Sequence, residues 1–179
     1  MSEQPAGGPA AAGARLLALY DHALPQVYGY LLARCGQRAV AEDLTAETFL
    51  AAVDAVRAGP PVSTAWLVGV ARHKLSDHWR RQAREQRALH AVAAGPGAPA
   101  EPDDPWDARL DALRARDVLQ RLGPHHRAAL TLRYMDDLPV PQVADLLGRT
   151  VHATEALLVR ARSAFRAVYA GDGEEDGDG

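Results

Sequence analysis

Residues 138–162, LPVPQVADLLGRTVHATEALLVRAR, read as a short helix, a glycine-centred turn and a longer helix tipped with arginine, the plan of a DNA-reading helix-turn-helix. Pro141 suits the first turn of the leading helix, where its missing N–H costs nothing. Val143, Leu146 and Leu147 give that helix an apolar face, with Ala144 as the small contact residue. Gly148 can take the positive φ that a sharp turn demands, and Thr150 stands where the second helix needs an N-cap. Val151, Thr154, Leu158, Ala161, Phe165 and Val168 then recur at alternating three and four spacing as a buried stripe. That leaves Arg149, His152, Glu155, Ala156 and Arg160 outside it, as candidates to enter a major groove. The same periodicity also fits an ordinary αα-hairpin in a helical bundle, so the rest of the chain must decide.

The chain has 179 residues and is 47% hydrophobic, which suits one ordinary domain or two small ones. Its one cysteine, Cys35, excludes an intramolecular disulfide, and no Cys/His grouping has metal-ligand spacing, so a reducing interior fits best. Residues 1–14 lack the basic start and apolar core of a signal peptide, and no later run is long enough to span a membrane. The expectation is a soluble, cytoplasmic protein. The formal net charge of −3 is uneven: +2 over residues 1–90, −4 over 91–108, +4 over 109–170 and −5 over 171–179. Two mildly basic blocks are thus each followed by an acidic segment. An acidic tail beside a basic domain weakens non-specific phosphate attraction and raises the idea of an internal brake.

Helical periodicity dominates, and no run of alternating β-branched residues argues for a strand. A first helix is expected over about 14–34, with Leu16, Leu17, Leu24, Val27, Tyr28, Leu31 and Leu32 available for its inner face and Gly36 as its stop; a second runs over about 40–57. Gly59-Pro60-Pro61 breaks the chain, and Ser63 or Thr64 can cap a third helix reaching Leu89. AVAAGPGAPAEPDDP, residues 91–105, has too few large apolar side chains to fold and reads as a linker. Helices over 106–122 and 124–135, parted by Gly123-Pro124, lead into the hairpin. The expected fold is all-α: two small helical domains, 14–89 and 106–170, joined by a flexible linker over 90–105, the C-terminal one a helix-turn-helix. Disordered ends are expected over 1–13 and 171–179.

The third helix, TAWLVGVARHKLSDHWRRQAREQR over 64–87, begins apolar and ends with Arg80, Arg81, Arg84 and Arg87, interleaved with His73, Lys74, His78 and Trp79. Arginines three and four apart share one side of a helix, where they pair with phosphates, and rings among them stack on unpaired bases for roughly 1–3 kcal/mol each. A solvated basic face with Trp66 and Trp79 anchoring the core accounts for the pattern equally well. In the second helix Glu42, Asp43 and Glu47 lie along one side while Val40, Leu44, Leu50, Ala51 and Val53 serve the core. That acidic face is either plain solvation or a dock for a basic surface. His125-His126 and the scattered carboxylates have no catalytic or metal spacing and read as surface, so no catalytic residue, metal or cofactor is expected.

In this order the features resemble the extracytoplasmic-function (ECF) sigma factors of bacterial RNA polymerase, in the sigma-70 family. The resemblance rests on Ala41-Glu42-Asp43-Leu44 with Glu47-Thr48-Phe49, and on Trp66-Leu67 followed by Ala71-Arg72 and the arginine run. Further along it rests on Leu119 to Arg127, Leu130-Thr131-Leu132-Arg133-Tyr134, Leu138, Val143-Ala144 to Leu147-Gly148, and Arg160-Ala161-Arg162. It implies a non-catalytic subunit that binds core polymerase, recognises promoter DNA and promotes strand opening under anti-sigma control, with the β′ clamp helices and β flap as docking partners. Glu42, Asp43 and Glu47 would dock on polymerase. The loop over 59–64 with His73, Lys74, Asp77, Arg80 and Arg81 would grip the melted minus-ten box, and Arg149, Thr150, His152, Ala153, Ala156 and Arg160 would read the minus-thirty-five box. The linker would thread through polymerase between them. His73 stands where the family usually has Asn, Ala46 replaces a common Gln, and Gly123 replaces a common junction residue. Glu155 and Leu157 replace a usual basic pair, which implies weakened attraction to the upstream box. A conventional helix-turn-helix regulator, the main alternative, would carry a sensing or dimerising domain, and none is visible.

Overall fold

A computed structural model describes residues 9–58, 62–90 and 112–175. Among the described residues the chain forms seven α-helices and one π-helical turn, with no strand. The linker, the lead before Pro9, Gly59-Pro60-Pro61, Trp106 and the last four residues lie outside them. By internal contacts the chain divides into two units, Met1–Leu75 and Ser76–Gly179, so the division falls inside the third helix.

In the first unit α1 (Pro9–Cys35) packs on α2 (Arg38–Ala58). α1 buries Ala23, Val27, Leu31 and Cys35, one every fourth residue, and Pro25 sits exposed on the far side. Gly36, at φ 68°, ends the helix. α2 answers with Ala41, Leu44, Thr48, Phe49 and Ala52, and the Tyr20 ring meets Phe49 edge to face with centroids 4.7 Å apart. The buried Thr45 and Thr48 hydroxyls donate to the carbonyls of Ala41 and Leu44, so neither is left unsatisfied. Two expected core residues fail: Leu17 and Leu50 are each 65% exposed. Leu50 lies one turn beyond Glu47, on the solvent face, because Phe49 and Ala52 already fill the inward positions.

α3 (Thr64–His90) starts at Ser63, whose Oγ accepts the Trp66 N–H at 3.2 Å. Leu67, Ala71, Leu75, Trp79 and Ala83 form its buried stripe. Trp79 is 1% exposed, so it serves the core and is closed to base stacking.

The second unit gathers the end of α3 with α4 (Ala112–Arg121), α5 (Pro124–Leu130), the π turn (Thr131–Met135), α6 (Val140–Leu147) and α7 (Val151–Glu175). The single helix expected over 124–135 changes pitch at Thr131, where the Asp136 N–H reaches the carbonyl of Thr131, five residues back. At the Gly123-Pro124 break, Arg127 turns inward. Its Nε donates to the Leu119 carbonyl at 3.0 Å and its Nη2 to that of Leu122 at 3.1 Å, with a further bond to Gln120. The Leu119 carbonyl also accepts the Leu122 N–H at 3.3 Å, and a cation suits the negative end of a helix dipole, where the last carbonyls lack intrahelical donors. Arg114 ties α4 to α7, its guanidinium lying 4.1 Å from the Tyr169 ring centroid and donating to the Tyr169 carbonyl.

The hairpin follows its expected chemistry. Gly148 takes φ 62° and ψ 43° and closes α6, and the Arg149 N–H returns to the Ala144 carbonyl at 2.9 Å. Thr150 Oγ1 accepts the Ala153 N–H at 3.2 Å and caps α7. Helix covers part of the ends expected to be disordered: α1 begins at Pro9, and α7 continues unbroken to Glu175, about 36 Å from its first residue by helix rise. The end of α7 is therefore too far from Arg149 to touch it in the same chain, which removes a direct brake by 171–175 on the start of that helix.

Two stability changes follow. Arg127→Ala takes the side-chain donor away from the Leu119, Gln120 and Leu122 carbonyls and is expected to cost about 3 kcal/mol in urea unfolding followed by circular dichroism. Thr150→Ala is expected to cost about 1 kcal/mol in the same assay, with Thr150→Ser keeping the capping bond and most of the stability.

Candidate nucleic-acid interface

Helix geometry sorts the candidate residues before any ligand is considered. At 100° per residue, His152, Ala153, Ala156 and Arg160 fall within an arc of about 100° at the start of α7, Arg149 stands in the turn just before that helix, and all five are exposed or half-exposed. Thr150 is exposed but already engaged as the cap, so its hydroxyl is partly committed to the backbone. Val151, expected in the core, is 43% exposed. Leu157 is 3% exposed and belongs to the hydrophobic core. It therefore cannot stand in for a lost DNA-contacting cation, and of the two unusual residues only the exposed Glu155 bears on DNA attraction.

Arg149 does not stand alone. Its Nη2 lies 3.4 Å from His125 Nδ1 on α5, a contact in which the guanidinium donates to a neutral imidazole. Burial, followed by the nearby Arg149 and Arg87, pushes the His125 pKa down to about 4, and burial also lowers His126. The histidine pair expected at the surface is thus half-buried, because α5 carries it against the turn and the end of α3. His125 thus lies against the Arg149 side chain, a contact that reading the sequence missed. Its only sequence signal is its position just after the Gly123-Pro124 break.

On α3, His73, Asp77, Arg80, Arg84 and Arg87 fall within about 80° of one another, with Lys74 and Arg81 on the flank. His73, Asp77 and Arg81 are exposed and Lys74 and Arg80 half-exposed. Arg80 pairs with Asp77 one turn away, and Lys74 Nζ reaches Glu47 Oε2 on α2 at 3.2 Å. Both pairs are solvent-accessible and worth little, so either can exchange for phosphate at small cost. The α2 acids differ among themselves. Glu42 is held by Arg38 at 2.7 Å and Glu47 by Lys74, whereas Asp43 is exposed and has no ion-pair partner among the described residues. Asp43, Ala46, Glu47 and Leu50 make one continuous exposed strip of α2.

Among the described residues no group of His, Cys, Asp or Glu could hold a metal, and no helix is long and apolar enough to cross a membrane.

The family description "Sigma-70 region 2" matches residues 19–85, and "Sigma-70, region 4" matches residues 112–165. The chain is 32% identical over 164 residues to the ECF RNA polymerase sigma factor SigL of Mycobacterium tuberculosis, an alignment covering 89% of this chain and 92% of that protein. It is 33% identical over 151 residues to the ECF RNA polymerase sigma factor BldN of Streptomyces coelicolor, covering 80% of this chain and 56% of that longer protein. In fold it matches the sigma factor RpoE of Bartonella quintana, solved with the anti-sigma factor NepR, with a TM-score of 0.50 and 18% identity over 86% of this chain and 96% of that one. A helix-turn-helix with a groove-sized exposed arc, an arginine-lined α3 and an acidic strip on α2 are thus carried by a chain that belongs to the ECF sigma factors, non-catalytic specificity subunits of bacterial RNA polymerase in the sigma-70 family.

Proposed function

We propose that this chain binds core RNA polymerase in the cytoplasm, recognises two promoter boxes and promotes strand opening. The observation that carries this reading is the shared exposed arc of His152, Ala153, Ala156 and Arg160 on α7, with Arg149 in the turn before it, set by the Gly148 turn and the Thr150 cap. This arc is about 12 Å long by helix rise, suited to one face of a major groove, and with Arg149 it reads the minus-thirty-five box. His73, Lys74, Asp77, Arg80 and Arg81 on α3 take the minus-ten box. There Arg80 and Arg81 supply the fork geometry that suits phosphate, and Asp77 holds Arg80 until DNA arrives.

The strip of Asp43, Glu47 and Leu50 on α2 docks on the polymerase clamp helices. Asp43 leads, because Glu42 and Glu47 already have intramolecular partners. Residues 14–89 and 106–170 act as the two working domains, with 90–105 as the connector between the boxes and the β flap engaging the second domain. The exposed apolar side chains Leu17 and Leu50 suit cover by an anti-sigma protein when the chain is held inactive.

Run-off transcription with core enzyme, with and without this chain, tests the reading. A promoter-dependent product only in its presence is expected, and no such product excludes the role. Asp43→Ala is expected to weaken core binding at least tenfold in a fluorescence titration, with Glu42→Ala nearly neutral; the reverse order would remove the assignment of Asp43. Arg149→Ala is expected to shift preference at the upstream box across a promoter library, and an unchanged preference refutes that placement.

A further inference from the structure

Within the second unit, the end of α3, the start of α5 and the Gly148 turn enclose a cleft of about 380 Å³. Four guanidiniums line it, from Arg80, Arg84 and Arg87 on α3 and Arg149 at the turn, together with the His125 imidazole. No carboxylate lines it among the described residues; the one acid tied to this group, Asp77, pairs with Arg80 from outside. The floor is apolar, made by Ala128 and Leu147 among others.

The fold brings these cations close. Arg80 reaches the Gly148 turn closely: a Cβ built on Gly148 would lie 3.1 Å from Arg80 Nη1, a tight contact. Like charges gathered in a partly desolvated cleft repel, and the arrangement carries a free-energy penalty that an anion would relieve. The His125 ring is kept neutral first by burial and then by these cations. Its Nε2 is buried and lacks a hydrogen-bond partner, and the ring is held neutral beside Arg149 and Arg87.

We propose that this cleft is a binding site for a small polyphosphate anion, with the phosphates gripped by Arg84, Arg87, Arg80 and Arg149. Arginine forks match phosphate oxygens two at a time, and a cluster of four calls for several negative charges. A linked chain of phosphates supplies them in one molecule, so translational freedom is lost once instead of several times. The volume lies within the range of small-ligand sites, and the apolar floor leaves room for a ring attached to the phosphates. Inorganic tripolyphosphate and a nucleoside triphosphate share the chemistry that the arginines recognise. The acidic end of α7 is not a candidate, lying a helix length away. On the promoter reading given above, on which this consequence alone rests, an occupied cleft engages Arg80 and Arg149 and competes with DNA.

The test is calorimetric titration of the full chain, without polymerase, at moderate salt. Inorganic tripolyphosphate is expected to bind saturably at one site per chain. The exposed double variant Arg84→Ala with Arg87→Ala is expected to lose at least tenfold in affinity with an unchanged thermal melt, while Arg116→Ala, an exposed arginine outside the cleft, keeps it. A nucleoside triphosphate binding more tightly than tripolyphosphate identifies the floor as a ring site, and equal binding assigns recognition to the phosphates alone. Absence of saturable binding, several equivalents per chain, or equal loss in Arg116→Ala overturns the proposal. So does a double variant that loses affinity for duplex DNA but keeps it for tripolyphosphate, since the arginines then serve a nucleic-acid backbone. The assay contains no polymerase or promoter, so its failure is separable from failure of run-off transcription.

Discussion

The left-handed backbone of Gly148 is the constraint on which the rest of the second unit depends. An L side chain at φ 62° would be strained, and without that conformation α6 could not end with its last carbonyls satisfied by the Gly148 and Arg149 amides. The turn fixes the angle at which α7 leaves, and it determines which residues of α7 face inward. Thr154, Leu157, Leu158, Ala161 and Phe165 are buried, and the complementary arc from Arg149 to Arg160 remains for a partner. Arg80 also reaches Gly148 closely, so one backbone conformation shapes both the start of α7 and the cation cleft beside it.

Charge is managed differently in the two units. In the first, the acids of α2 are partly answered by nearby cations, Glu42 by Arg38 and Glu47 by Lys74, and Asp43 is left open. In the second, cations accumulate with few acids near them. Arg127 is an exception of another kind, a buried cation whose charge is met by three carbonyl oxygens at the end of α4. Among the cleft arginines Arg80 has Asp77 and Arg87 one carbonyl, that of Ala83, which is less than Arg127 has, and burial together with Arg149 and Arg87 keeps His125 neutral. A surface able to attract phosphate from solution is one that has not satisfied its own charges, and this holds for the end of α3 more than for any acidic or mixed face described.

Much of the fold was legible in the residues themselves. Gly36, Ser63, Gly148 and Thr150 each stop or start a helix where local chemistry alone requires it, since caps and left-handed turns depend on the few residues around them. The π-helical turn after Leu130 was not legible, because a one-residue change of pitch leaves no distinct apolar period. Leu17, Leu50 and Val151 fall outside the core for a common reason. Periodicity gives a stripe's spacing but leaves its exact bearing free by a residue, and only the neighbouring helices decide which edge of the stripe is covered.

The sequence by itself determined an all-helical chain, the helix-turn-helix, the basic end of α3 and the acidic side of α2, because these follow from local spacing and residue chemistry. Tertiary structure alone decided that Trp79 is core, that His125 is half-buried against Arg149, and that Arg80, Arg84 and Arg87 meet Arg149 across one cleft. Those outcomes join residues dozens of positions apart, and proximity of that kind comes from helix packing, which no local pattern encodes.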